Sequence, residues 1–143
     1  MVAQLIPSLV INVDNDLLCR TPLSSEIKSA VFDLDGDGAS GPDGFYGHFY
    51  QPFLDNVATD VVNSMQEFFS TGVMVRHVNS NLIVLVPKVP GAKAMGDYRP
   101  ICLANFQFKI IIKIIADRLH LLLYTLFSLN NVDLSRSETY LTV

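Results

Sequence analysis

A long apolar segment near the end of the chain limits the possible folds more than any other feature. Residues 104–127 predict a helix, and the five isoleucines among residues 110–115 cannot all lie on one stripe of it. A helix that is apolar all round is normally buried on several sides. Four ionisable side chains among residues 113–120 argue against a membrane span. We therefore expect a buried helix in a protein without membrane segments.

Composition places the chain among compact folded domains. Its 143 residues suit one domain, and 50% hydrophobic against 17% charged residues argues against intrinsic disorder. The net charge of −4 and a pI near 5.1 argue against a stand-alone nucleic-acid binder. Two cysteines exclude a disulfide scaffold and a four-cysteine zinc site. No secretory signal is apparent at the N-terminus, so we expect the protein in the nucleus or the cytoplasm.

Two further helices are predicted before the middle of the chain. Residues 1–20 show no period, and residues 14–16 are typical of a polar turn. A short helix follows Pro22, with Ser24 or Ser25 as its N-cap. Apolar residues recur every three or four positions over residues 52–69, which predicts a helix that begins at Pro52 and ends before Gly72.

A β-hairpin is predicted between these helices and the apolar one. Residues 82–86 are all aliphatic, which is typical of a buried strand. Residues 98–103 suggest a returning strand that is interrupted or ended at Pro100. The turn at residues 89–91 favours antiparallel pairing. The expected fold class is α+β, with helices packed around a small antiparallel hairpin.

The loop at residues 33–47 is rich in glycine and aspartate and contains two motif-like stretches. Asp33-x-Asp35-x-Asp37-Gly38 matches the first half of a calcium-binding EF-hand loop, but Gly44 stands where that loop needs a bidentate glutamate. A solvated acidic loop is the favoured interpretation. Residues 41–44 lack the Gly-Lys-Ser/Thr end of a phosphate-binding loop, so a rigid turn is favoured there.

Two cations, Lys88 and Arg99, lie beside prolines at the predicted ends of the hairpin strands. If the strands pair, both side chains project near the tip. Arginine binds phosphate as a bidentate fork and lysine as a point charge, so the pair suits a polyphosphate. The alternative is two solvated charges at strand ends. The three histidines lack the spacing of a metal or nucleophile site.

Several short motifs occur in order along the chain. They are Gly41-Pro42-Asp43-Gly44-Phe45, Leu85-Val86-Pro87-Lys88, Asp97-Tyr98-Arg99-Pro100-Ile101-x-Leu103-x-Asn105, Phe108-Lys109-Ile110 and Ala116-Asp117-Arg118-Leu119. In this order they resemble the N-terminal part of the reverse transcriptase domain of LINE-type (non-LTR) retrotransposons, most like plant elements. The resemblance extends from about residue 24 to about residue 123.

The resemblance implies a partial fingers subdomain of a right-hand polymerase. It implies that Lys88 and Arg99 contact the triphosphate of the incoming nucleotide, and that the helix at 104–127 packs between the fingers and the rest of the enzyme. Nucleotide and an RNA or DNA template are then the implied partners, with weak binding. The chain departs from the family at Gly38, often lysine there, and at Leu54, often tryptophan.

The family's catalytic palm has no counterpart in this sequence. The palm carries aspartates, two of them in a Tyr/Phe-Ala-Asp-Asp turn, that hold two Mg²⁺ ions, and no such turn occurs here. We therefore expect a truncated fragment without catalytic residues, metal site or cofactor, inactive alone. Its expected parts are an N-terminal extension at 1–23, the fingers-like fragment at 24–127 and a divergent polar tail at 128–143. The alternative is an interaction module whose apolar helix docks on a partner protein.

Overall fold

The computed structural model describes residues 10–129, and their side chains as far as residue 124. Within this range the chain forms four α-helices, a short 3-10 helix and a two-stranded antiparallel sheet, which confirms the α+β class. The elements are α1 (Asn12–Cys19), α2 (Ser24–Asp33), α3 (Gly47–Thr71), β1 (Asn81–Pro87), the 3-10 helix (Met95–Asp97), β2 (Tyr98–Ala104) and α4 (Phe106–Leu129).

The chain divides into two compact units, and α4 contributes to both. Thr21–Ile114 forms one unit, and the described part of the other comprises residues 10–20 and 115–129. Residues 1–9 and most of the predicted tail at 128–143 lie outside the described range. Among the described residues, no helix combines the length and the apolar character needed to cross a membrane.

In the larger unit, α2 and α3 pack against each other. Ser24 is the first residue of α2 and Leu23 is its N-cap, so the predicted serine cap is wrong. Gln51 of α3 donates from Nε2 to the carbonyls of Val31 and Leu34, which satisfies backbone acceptors at the end of α2. The buried apolar residues at the two helices are Ile27, Ala30, Val31, Tyr50, Leu54, Val61 and Met65.

Helix α3 begins five residues before the predicted start, and Pro52 lies inside it. The earlier start is supported by the preceding loop, because the His48 amide donates to the Gly36 carbonyl at 3.3 Å. Gly47 packs tightly there, since a Cβ atom would lie 2.5 Å from Cα of Gly36. The predicted end is confirmed: Gly72 has φ +71° and its amide donates to Phe68 at 2.8 Å.

The antiparallel hairpin is confirmed, but the prediction that β1 is buried is wrong. All seven residues of β1 are exposed, because no described helix packs extensively on either face of the two-stranded sheet. Pro100 neither interrupts nor ends β2 and is paired with Leu85. The Lys88 amide donates to the Asp97 carbonyl, so these two residues form a hydrogen-bonded pair. Hydrogen-bonded and non-hydrogen-bonded pairs alternate along an antiparallel ladder, which makes Leu85 and Pro100 a non-hydrogen-bonded pair. The nitrogen of Pro100 therefore faces the outer edge of the sheet. A proline costs no ladder bond there.

Helix α4 confirms the predicted apolar helix, yet it is not buried on several sides. Its buried side chains form one stripe, while apolar residues elsewhere on the helix remain partly exposed, among them Ile112 at 47% and Leu121 at 61%. The prediction of all-round burial is therefore wrong. The stripe consists of Phe106, Ile110, Ile111, Ile114, Arg118 and Leu122.

In the smaller unit, residues 14–16 belong to α1, so the polar turn predicted there is wrong. The carboxylate of Asp14 accepts a hydrogen bond from the Ile11 amide at 2.9 Å and satisfies a donor at the helix start. At the other end, Arg118 donates from Nη1 to the carbonyls of Leu18 and Arg20 at 2.9 and 2.7 Å. Arg118 is only 2% exposed, so its guanidinium acts as a buried C-terminal cap.

Candidate functional site: the tip of the hairpin

The turn between the two strands is ordered by its own hydrogen bonds. The Lys88 amide donates to the Asp97 carbonyl at 2.7 Å and continues the ladder one step beyond β1. The Asp97 carboxylate accepts from the amides of Lys93 and Ala94 at 3.2 and 3.0 Å. Gly91 supplies a left-handed conformation with φ +76°. The backbone therefore holds both strand ends in a defined register.

Lys88 and Arg99 lie on the same face of the ribbon. Arg99 pairs with Val86, and Lys88, two residues further along, faces Asp97. The two cations are thus diagonal neighbours, a relation that places Cβ atoms about 7–8 Å apart. Both residues are exposed, and neither forms an ion pair with another described residue.

The tip carries two positive charges that attract an anion and one negative charge that repels it. Lys88 donates from Nζ to the Gly96 carbonyl at 2.8 Å, which leaves donors of its ammonium group for a ligand. Asp97 lies opposite Lys88 and brings a carboxylate to the same face, where its Oδ2 accepts hydrogen bonds from the two backbone amides. An anion that contacts both cations therefore lies beside this negative charge.

The Gly41–Gly44 stretch forms the rigid turn that its composition favours. The Gly44 amide donates to the Gly41 carbonyl at 3.1 Å, and Asp43 accepts from the Phe45 amide at 3.0 Å. Gly44 has φ +76°, a conformation that favours glycine. The turn is held from outside by Asn105, whose Oδ1 accepts from the Asp43 amide at 3.2 Å.

Residues of distant motifs meet around this turn. Asn105 donates from Nδ2 to the His77 carbonyl at 2.7 Å, and Lys109 donates from Nζ to the Ala39 carbonyl at 2.5 Å. These contacts join residues 28 and 70 positions apart. Sequence reasoning did not identify Asn105 or Lys109 as structural anchors, because spacing gives no signal for a contact over such separations.

The three aspartates of the EF-hand-like stretch take different partners. Asp33 lies 3.7 Å from Lys113, Asp35 accepts from the Asp37 amide, and Asp37 lies 2.7 Å from Nε2 of His48. Within residues 10–129, no three His, Cys, Asp or Glu side chains form a group that could hold a metal ion. These residues fit neither the calcium site considered above nor the Mg²⁺ pair of a polymerase.

Tyr50 links the turn to the base of α4. Its ring stacks on Phe106 with centroids 4.8 Å apart, and Gln107 donates from Nε2 to its hydroxyl at 3.4 Å. Burial raises the pKa of Tyr50, while the hydrogen bond from Gln107 acts in the opposite direction. A neutral tyrosine in this position has a structural role, as part of the core beneath the turn.

Comparison with known proteins gives one informative similarity. No family model matches the chain. The chain is similar to an uncharacterized 149 kDa protein of transposon TX1 from Xenopus laevis, with 27% identity over 101 residues. That alignment covers 70% of this chain and 8% of the relative, so the chain spans only a small part of the relative's length. The similarity supports a transposon origin.

Proposed function

We propose that this chain is the fingers portion of a reverse transcriptase from a LINE-type retrotransposon, and that its hairpin binds the triphosphate of an incoming nucleotide. Three findings support the proposal. The chain is similar to a transposon protein. Two of the other motifs that resemble the reverse transcriptase family contact Asn105, through the amides of Asp43 and Lys109. The strands that carry the two cations pair in a regular antiparallel ladder.

The observation that carries the proposal is the placement of Lys88 and Arg99 on one face at the end of a regularly paired ribbon. Arginine contacts phosphate oxygens through a planar fork, and lysine adds a mobile point charge. Two such groups at a diagonal spacing can contact neighbouring phosphates of one triphosphate. Their exposure leaves the face accessible to a ligand from solution.

Phosphoryl-transfer chemistry is not assigned to the described residues. A polymerase active site holds two metal ions between carboxylates, which position the attacking and leaving oxygens. Residues 10–129 present no such group. The proposed role of this chain is therefore to bind and orient the nucleotide.

Nucleotide binding to the whole chain tests the proposal. A fluorescent deoxynucleoside triphosphate is titrated against the wild type, Lys88→Ala, Arg99→Ala and Arg99→Lys at 0.15 M salt. We expect each alanine variant to bind roughly fivefold more weakly, because a charge-assisted contact is lost at an exposed site. The affinity of Arg99→Lys should lie between those of the wild type and Arg99→Ala, since lysine keeps the charge and loses the planar fork.

Lys28→Ala is the matched control, because it removes the same charge from an exposed position on α2. We expect it to leave the affinity near the wild-type value at 0.15 M salt, where remote charges are screened within about 8 Å. Equal losses in Lys28→Ala and Lys88→Ala would show non-specific attraction and contradict the proposal. Unchanged affinity in both hairpin variants would contradict it as well.

A further inference from the structure

The hairpin is attached to the rest of its unit mainly at its base. Every residue of β1 is exposed, and so are residues 99–102 of β2, while Leu103 and Ala104 are half-buried. The strands make extensive contacts only with each other. The direction in which the ribbon projects therefore depends on the residues where the two strands enter the body of the unit.

Asn105 lies at this junction, directly after β2, and is 3% exposed. Its amide nitrogen donates to the carbonyl of His77, in the turned segment that leads into β1. Its amide oxygen accepts from Asp43 in the Gly41–Gly44 turn, and its own carbonyl accepts from Lys109 in the first turn of α4. One side chain thus joins the residue after β2 to the segment that leads into β1 and to the loop that precedes α3.

Gly41 shows how closely the loop and the junction fit. A Cβ atom at Gly41 would overlap Oδ1 and the amide nitrogen of Asn105 and the carbonyl carbon of Ala104. The loop backbone therefore rests directly on the end of β2. This backbone–backbone contact, together with the two side-chain hydrogen bonds of Asn105, leaves the base of the ribbon little freedom to tilt.

We propose that Asn105 is a positioning residue that fixes the direction of the hairpin, and so the place of Lys88 and Arg99 relative to the α2–α3 body. The importance of that place for nucleotide binding rests on the function proposed above. The ribbon magnifies small tilts: seven residues at about 3.3 Å each make a lever of about 23 Å. A tilt of about 10° at the base then moves the tip by about 4 Å.

Distances between two spin labels measure the tilt without any nucleotide. The full chain carries Cys19→Ser and Cys102→Ser, with labels on Met95→Cys at the tip and Asp60→Cys on α3. Met95 is 80% exposed and Asp60 is exposed, so neither label disturbs packing. In this background we expect a narrow distance distribution. With Asn105→Ala the distribution should broaden or shift by about 4 Å, the lever displacement at the tip.

Two further variants separate positioning from general stability. Asn105→Asp keeps the acceptor for Asp43 and loses the donor to His77, so its distribution should also broaden. Gln107 is half-buried, lies two residues after Asn105, and forms side-chain hydrogen bonds with Tyr50 and Ser64. Gln107→Ala removes these bonds, so it should lower the melting temperature without broadening the distance distribution. Wild-type distributions in both folded Asn105 variants would overturn the proposal, and so would equal broadening in Gln107→Ala.

Amide exchange in the wild type keeps the proposal testable if the Asn105 variants fail to fold. The backbone amide of Asp43 and the side-chain amide of Asn105 should exchange slowly, because both are held in hydrogen bonds. Fast exchange at both groups would overturn the proposal. Since neither measurement contains a nucleotide, a failure of triphosphate binding is distinguishable from a failure of positioning.

Discussion

At Gly41 a single hydrogen atom in place of a side chain decides whether the loop can reach the end of β2. The space that a Cβ atom would need is occupied by backbone atoms of Ala104 and Asn105, which cannot move aside as a flexible side chain could. The demand for glycine here comes from close approach, whereas at Gly44 and Gly72 it comes from a positive φ.

Gly41→Ala should therefore destabilise the protein by about 2 kcal/mol, a typical cost of forced overpacking. Urea unfolding followed by circular dichroism measures the loss. Gly96→Ala is the control, because a Cβ atom there meets nothing within 4 Å and its φ is not positive, so its effect should stay within about 0.5 kcal/mol. A Gly41→Ala protein as stable as Gly96→Ala would show that the loop does not rest on β2.

At the scale of elements, α4 and the hairpin use apolar residues differently. The helix buries one stripe and leaves the rest of its apolar surface partly exposed. The hairpin buries almost none, although β1 is aliphatic from Leu82 to Val86. An isolated two-stranded ribbon is marginal in water, so the firmly bound base of the hairpin is needed for its stability. Pro100 removes a donor from the outer edge of β2, which hinders pairing with further strands.

The single stripe of α4 predicts unequal effects of truncating neighbouring isoleucines. Ile110 is fully buried and Ile112 is 47% exposed. Ile110→Ala should cost about 2–5 kcal/mol through lost burial and a new cavity. Ile112→Ala should cost less than about 1 kcal/mol, since its site leaves no enclosed cavity. Denaturant midpoints measure both, and equal losses would contradict the single stripe.

Across the whole molecule, the contacts that join distant motifs are structural, and the proposed ligand groups are the exposed cations at the hairpin tip. The relative from transposon TX1 is much longer than the region of similarity, which covers 8% of it.

The purified whole chain should not extend a primer. Supplied with Mg²⁺, a primer–template and deoxynucleoside triphosphates, it should yield no longer product, because residues 10–129 lack a group of carboxylates that could hold the ions. A complete reverse transcriptase in the same mixture controls for the substrates. Template-dependent extension that is lost in Lys88→Ala would refute the expectation and place catalysis on this chain.

Local patterns predicted the elements well where a short-range rule applies. The end of α3 at Gly72 follows from a cap that involves only neighbouring residues, and the hairpin follows from two apolar runs around a turn. No local rule predicts the start of α3, because the His48 amide near that start donates to the Gly36 carbonyl, 12 positions earlier in the chain. Helix α1 was missed since its short sequence has no clear apolar period.

Propensity and periodicity act between near neighbours, and they were enough to predict the α+β class, the α4 helix and two cations at the ends of paired strands. Which faces are buried, which carboxylates lie apart and which residues hold the hairpin depends on how the whole chain folds. Burial and long-range hydrogen bonds depend on which distant segments of the chain pack against each other. Asn105 joins residues 62 positions before it and 28 positions before it, and no local pattern encodes those distances.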